Sequence, residues 1–223
     1  MNSVTRIPLT ATPEQHARLL ALQTAFAQVC NAMSPIVQQT RCWNRVALHH
    51  MVYKTLRAKF PALGSQMVCN AIYSVSRTCR LVYQHPTSPF NLARLAGKPL
   101  PLLRFDQNCP VYFDRHTLSV KAGQLSMYTL DGRMRFELAL KPEDEVKFHD
   151  MKLQEIVLSR RREGPFELTF SFVDATAIDP TAGQTDGPEL ALAPSGAQEK
   201  APSPSVLAMG MEIPEYVMVE EAA

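Results

Sequence analysis

At 223 residues, with 46% apolar side chains, the chain can bury one good core, or one and a half domains. No apolar run approaches the roughly 20 residues of a membrane span. The opening MNSVTRIPLTATPEQ lacks the apolar centre of a signal peptide, so a cytoplasmic protein with no membrane partner is expected. The net charge of +2 conceals a division: from Asp174 onward nine acids stand against one base, Lys200, whereas positions 1–173 carry 22 bases and 12 acids. A basic body with an acidic tail suggests a polyanionic partner with which the tail can compete; a soluble domain with a solubilising tail would carry the same imbalance.

In chain order, residues 4–9 have strand-like content, and Pro8 marks an edge position or an end. Thr12-Pro13-Glu14-Gln15 reads as a helix start, with Thr at the cap, Pro at the first helical position and Gln three residues after the Thr. Leu19, Leu22, Phe26, Val29, Met33 and Val37 follow at spacings of three and four and define one apolar face. A second helix fits residues 44–59, with Leu48, Met51, Val52 and Leu56 inward, and Phe60-Pro61-Ala62-Leu63-Gly64 breaks it. A third runs from about Ser65 to Gln84 and buries Val68, Ile72, Val75, Cys79 and Val82. Past His85-Pro86 the period changes to short β-type runs at 111–113, 117–120 and 124–128. Asp131-Gly132 between SMYTL and RMRFELAL predicts a tight hairpin. Residues 143–152 read as a charged loop or short helix, and IVLSRR and PFELTFSFV flank Arg162-Glu163-Gly164-Pro165 as a second hairpin.

The fold class expected is α+β: a small antiparallel β-barrel with a three-helix insert after its first strand. Its parts are a first barrel strand in 1–11, a helical insert in 12–98 and the remaining barrel in 99–173. A disordered acidic linker rich in Pro, Ala, Ser and Gly follows in 174–205, then a short C-terminal strand in 206–223. A lone strand is marginal in water, so the last run must pair back onto the body, dock elsewhere or be a remnant.

The ordinary signatures of catalysis are missing. The five cysteines form no CxxC pair and read as buried free thiols. His49-His50 has no acid or thiol nearby at ligand spacing, and the consecutive Glu143, Asp144 and Glu145 cannot all face one metal. Asp106, Asp114, Asp131 and Asp150 sit in turn-like settings. No Gly-rich phosphate loop or GxSxG occurs, so no cofactor, metal or catalytic residue is assigned. The basic residues say more. Arg41, Arg45, Lys54, Arg57 and Lys59 decorate the second helix and its approach, with Trp43 and Tyr53 among them. Arg77 and Arg80 follow on the third helix, and Arg160, Arg161 and Arg162 cap a strand at a hairpin tip. Each alone reads equally as a solvated face; together they suit phosphate contacts with aromatics for base stacking.

The order strand, helices, barrel strands resembles the N-terminal half of the TnpB family, RNA-guided nucleases of insertion sequences related to type V CRISPR effectors. The resemblance covers 4–173 and rests on SQMVCNAIYSVSRTCR after FPALG, on YFDRHTLSVKAGQLSMYTLDGRMRFELAL, and on KLQEIVLSRRREGPFELTFSFV. It implies a wedge-like barrel and a recognition-like helical insert that grip structured guide RNA and the double-stranded DNA motif flanking a target. By the same resemblance, Ser65, Gln66 and Cys69 stand where flanking-motif contacts are made, where the family carries a basic residue and a glutamine. The DNA sequence read must therefore differ, although Gln66 suits adenine. Guide or backbone contacts fall to Arg41, Arg45, Tyr53, Lys54, Arg57, Arg77, Arg80, Lys121, Arg160, Arg161 and Arg162.

The family's catalytic domain is RuvC-like and opens on a strand that carries the first metal-binding Asp. In that register 206–219 places Gly210 at the carboxylate position, with Glu212 for a glycine and Pro214 for a basic residue. Two-metal cleavage needs carboxylates, so a nuclease-dead, transposon-associated binder is expected. The alternatives are one half of a split nuclease, its RuvC-like half on a separate chain whose sheet 206–219 would complete by strand addition, or a degenerate remnant.

Overall fold

The computed structural model describes residues 2–121, 123–138, 140–160, 164–173 and 213–220. Strand β1 (Asn2–Pro8) is followed by three long helices, α1 (Pro13–Thr40), α2 (Arg45–Lys59) and α3 (Ser65–Gln84), and one turn of helix, α4 (Leu92–Leu95). Then come β2 (Leu102–Phe105), β3 (Val111–Phe113), β4 (Leu118–Lys121), β5 (Gln124–Thr129), β6 (Gly132–Glu137), α5 (Pro142–Asp150), β7 (Lys152–Arg160), β8 (Phe166–Val173) and β9 (Val217–Glu220).

The first two helices start at side-chain caps. The Thr12 hydroxyl accepts from the Gln15 N–H at 3.2 Å, and the Gln15 side chain accepts from the Thr12 N–H at 2.9 Å, which satisfies two otherwise orphaned donors of α1. The Asn44 carboxamide accepts from the N–H groups of Val46 and Ala47 and opens α2. All six apolar positions expected on α1 are buried, as are the five on α3. On α2 Leu48, Val52 and Leu56 are buried, but Met51 is 44% exposed. Because Leu48, Val52 and Leu56 repeat every four residues along one stripe, Met51 falls on the shoulder of that stripe and clears the core.

The architecture is mixed α+β with antiparallel sheets. One sheet has the order β1-β8-β7-β3, a second β4-β5-β6, and a third β2-β9. None closes into a barrel among the described residues, contrary to expectation. The chain leaves the first sheet after β3 through a turn in which the Asp114 carboxylate accepts from the N–H groups of His116 and Thr117. Those donors are thereby withdrawn from any ladder, and β4 begins a separate sheet. In β8 Phe166, Leu168, Phe170 and Phe172 are buried in strict alternation. The Phe148 ring of α5 packs edge-on against Phe170 and Phe172, at 4.9 and 5.0 Å between centroids. Residues 143–152 are thus largely a helix, anchored by Phe148.

Two further differences are informative. The β5–β6 hairpin forms, but Thr129 pairs with Gly132, so Leu130 and Asp131 are the central pair and Gly132 follows them at φ 107°. Neither Leu130 nor Asp131 has a positive φ, so this is not the I′ turn that a central Asp-Gly pair favours, and the turn sits one residue earlier. The second is β2, a four-residue strand between prolines that periodicity does not reveal. Its partner is β9: Leu102 pairs with Glu220 and Phe105 with Val217. Of the three fates open to the C-terminal run, pairing back onto the body is the one observed for Val217–Glu220. Val217 is buried there, so this stretch of the proposed nuclease strand belongs to the body's own β-structure. Gly210 and the stretch 174–212 lie outside the described residues, as do Arg161 and Arg162.

All five cysteines are free; Cys30, Cys79 and Cys109 are buried, while Cys42 and Cys69 are only half-buried. No helix among the described residues is long and apolar enough to cross a membrane.

Candidate nucleic-acid interface

Two adjoining cavities of about 250 and 270 Å³ run between the N-terminal turns of α2 and the outer face of α3, and both are lined by Arg45 and Val46. Asn44, Tyr73, Ser76, Arg77 and Arg80 complete the first, and His49, Gln66, Cys69 and Ile72 the second. The groove exists because the start of α2 is tied to α3: the buried Ser76 hydroxyl donates to the Trp43 carbonyl at 2.6 Å. Trp43, the only tryptophan of the chain, packs at 5.3 Å on Tyr83. Gln66, Cys69, Tyr73, Arg77 and Arg80 succeed one another at spacings of three and four along α3, and so share one face.

The electrostatics of the groove centre on Tyr73. The Arg45 guanidinium lies 5.3 Å from its ring centroid, a cation–π contact. Its hydroxyl donates to Oε1 of Glu155 at 2.9 Å, and Arg77 donates to the same oxygen at 2.6 Å. Burial pushes the Tyr73 hydroxyl above its ordinary pKa, and the charge of Glu155 adds to this. Burial alone would pull Arg77 down, but Tyr112, Glu155 and Tyr73 outweigh it and hold the guanidinium above its usual value. Arg77 is thus paired with Glu155 beside Tyr73, and Arg45 lies over the same ring. In the second cavity burial, with His50 and Arg45, lowers the pKa of His49. Burial also raises that of the Cys69 thiol, which disfavours the thiolate.

Of the residues assigned from sequence, Arg45, Gln66, Cys69, Arg77 and Arg80 are brought together here. Of the rest, those among the described residues line neither cavity. Arg41 ends α1 at φ 51°, in the left-handed region, and donates to the Lys98 carbonyl at 2.8 Å. Arg57 donates to the Leu63 carbonyl and pins the loop before α3. Tyr53 stacks on His49 at 4.6 Å. Lys54 and Ser65 are exposed on α2 and at the start of α3, and Lys121 is exposed at the end of β4. Arg160 donates to the Asn108 side chain at 3.1 Å and lies 5.6 Å from the Phe166 ring centroid.

The Gln66 amide nitrogen donates to the Asp114 carboxylate, which leaves the second of its two N–H groups for another acceptor. Tyr73, Asn44, Ser76 and Glu155 escaped sequence reasoning. Tyr73 had a signal, since it lies four residues before Arg77 on the same helical face. Glu155 had none, because only the packing of β7 beneath α3 brings it there. Among the described residues no group of three His, Cys, Asp or Glu could hold a metal ion. No protein-family model matches the chain, and no curated protein matches it.

Proposed function

We propose that this protein is a nuclease-dead nucleic-acid-binding protein of the TnpB type, and that the groove between α2 and α3 grips structured RNA. The observation that carries the reading is the convergence of Arg45, Arg77 and Arg80 with one tyrosine on a single concave surface. Guanidinium groups contact phosphate in fixed, forked geometry, and an aromatic edge beside them suits a base or ribose. The basic excess in 1–173 supports the same partner. The placement of α1, α2 and α3 between β1 and the later strands is compatible with a recognition-like insert in a wedge-like body. Double-stranded DNA is the second ligand in this reading, contacted from Ser65 and Cys69 at the start of α3. The absence of cleavage rests on Gly210, which offers no metal ligand in the register of the family's catalytic strand.

The test is purification at low salt, followed by sequencing of the RNA that accompanies the protein. A discrete RNA species is expected, with affinity that falls steeply as salt rises. Protein free of nucleic acid at low salt, with no mobility shift on transcripts from its own locus, would refute the reading.

A further inference from the structure

Gln66, which lines the second cavity, ties α3 to the turn before β4 through its hydrogen bond to Asp114. The same turn carries His116, whose carbonyl accepts from Nη2 of Arg133 on β6 at 3.2 Å. One turn thus connects the groove to the β4-β5-β6 sheet. In that sheet Leu125, Met127, Met134 and Phe136 are buried, so the alternate residues define the opposite, outer face. The register sets Tyr128 beside Arg133, Ser126 beside Arg135, and Gln124 beside both Lys121 and Glu137 on that face.

Antiparallel sheets commonly leave one polar face in water, and scattered charges there need no partner. Two features set this face apart. Tyr128 is 42% exposed, and the Arg133 guanidinium lies 4.2 Å from its ring centroid. Nη1 of Arg133 donates to the Ser126 hydroxyl at 3.1 Å while Nη2 holds the His116 carbonyl, contacts that fix the group without exhausting its five N–H donors. The second feature is charge. Lys121, Arg133 and Arg135 are exposed on the face against Glu137 alone, and Arg115 is exposed in the adjoining turn. The nearby aspartates are engaged elsewhere: Asp131 pairs with Arg18 at 2.7 Å, and Asp114 accepts from its own turn and from Gln66. An exposed ring beside an ordered guanidinium stacks bases, and cations along the same face follow a phosphate backbone.

We infer that the outer face of the β4-β5-β6 sheet takes an unpaired segment of RNA, with a base against Tyr128 and Arg133 and phosphates on Lys121 and Arg135. A duplex keeps its base faces stacked inside and offers nothing to the Tyr128 ring, whereas an unpaired strand presents them. From Tyr128 to Gln124, beside Lys121, the face runs about 14 Å along β5, enough for a short segment. The inference deepens the nucleic-acid reading and takes the choice of RNA from it, but uses none of the residues that line the groove.

The experiment uses the full chain and two fluorescein-labelled probes read by anisotropy: an unstructured uridine-rich oligoribonucleotide and a stem–loop RNA. Tyr128→Leu should weaken binding of the unstructured probe about tenfold, and Tyr128→Phe, which keeps the ring, should retain it. Arg133→Gln should weaken it as well and flatten the plot of log K against log salt by about 0.7. Lys121→Gln, at the other end of the face, decides the matter should the Tyr128 and Arg133 variants fail to fold. Unchanged affinity for the unstructured probe in the folded variants would overturn the inference, as would an equal loss in Tyr128→Leu and Tyr128→Phe. A wild type that binds the stem–loop but not the unstructured probe would overturn it too, and leave the groove reading standing. Binding of the unstructured probe that depends on Tyr128, with no binding of the stem–loop, would support it and refute the groove reading instead.

Discussion

Glu155→Gln should lower stability and tighten RNA binding at once, a pair of effects that a purely structural ion pair cannot produce. Oε1 of Glu155 accepts from Arg77 at 2.6 Å and from Tyr73 at 2.9 Å, with the two charged side chains 17% and 31% exposed. Hydrogen bonds to charged groups contribute about 1.5–3 kcal/mol. Glutamine retains an acceptor oxygen and water screens the pair in part, so the loss should fall near 1–2 kcal/mol. With a urea m-value of about 2 kcal/mol/M, the midpoint should drop by about 0.5–1 M. Arg77 meanwhile loses its counter-charge while still lining the groove. One additional cation facing single-stranded RNA steepens the plot of log K against log salt by about 0.7, and affinity at low salt should rise several-fold. Urea denaturation followed by Trp43 fluorescence, with anisotropy titrations at several salt concentrations, measures both quantities. Lower stability with an unchanged or shallower salt slope would refute the placement of Arg77 at the interface.

Two further outcomes follow from burial. His49 titrates below 6.5 in the folded protein because burial, His50 and Arg45 disfavour its charged form. The unfolded chain then takes up the proton first, so His49 contributes stability above 6.5 that is lost as pH falls through the folded value. Chemical denaturation at a series of pH values should show this acid loss reduced in His49→Gln, and an identical profile in the variant would count against the assignment. Phe170 is fully buried against Phe148 and Phe172, so Phe170→Ala should cost about 3–5 kcal/mol in thermal or urea unfolding. A loss below about 1 kcal/mol would mean that the Phe148 contact does not anchor α5 on the sheet.

Long periodic segments were legible in the sequence because helix formation and burial act on the same local pattern. On α3 Val68, Ile72, Val75, Cys79 and Val82 could be assigned to the core from spacing alone, and all five are buried. The start of α1 was equally legible, since Thr12 and Gln15 satisfy each other's backbone within one turn. Failures came where a neighbour distant in sequence decides. β2 has four residues, too few for a period, and exists through its pairing with β9 more than a hundred positions later. The hairpin at Asp131 was legible but its register was not, because the ladder between β5 and β6 selects which residues turn.

The groove divides in the same way. That Arg45, Arg77 and Arg80 project from two helices is a property of spacing, and the basic excess of the body is a property of composition; both were determined by sequence. Which arginines meet was decided by the tertiary structure alone. The Ser76–Trp43 hydrogen bond draws the start of α2 against α3, β7 carries Glu155 beneath Tyr73 and Arg77, and Asp114 takes the amide of Gln66. Side-chain chemistry is local, whereas the distance between two charges depends on how separate elements pack, and no pattern within one helix encodes that distance.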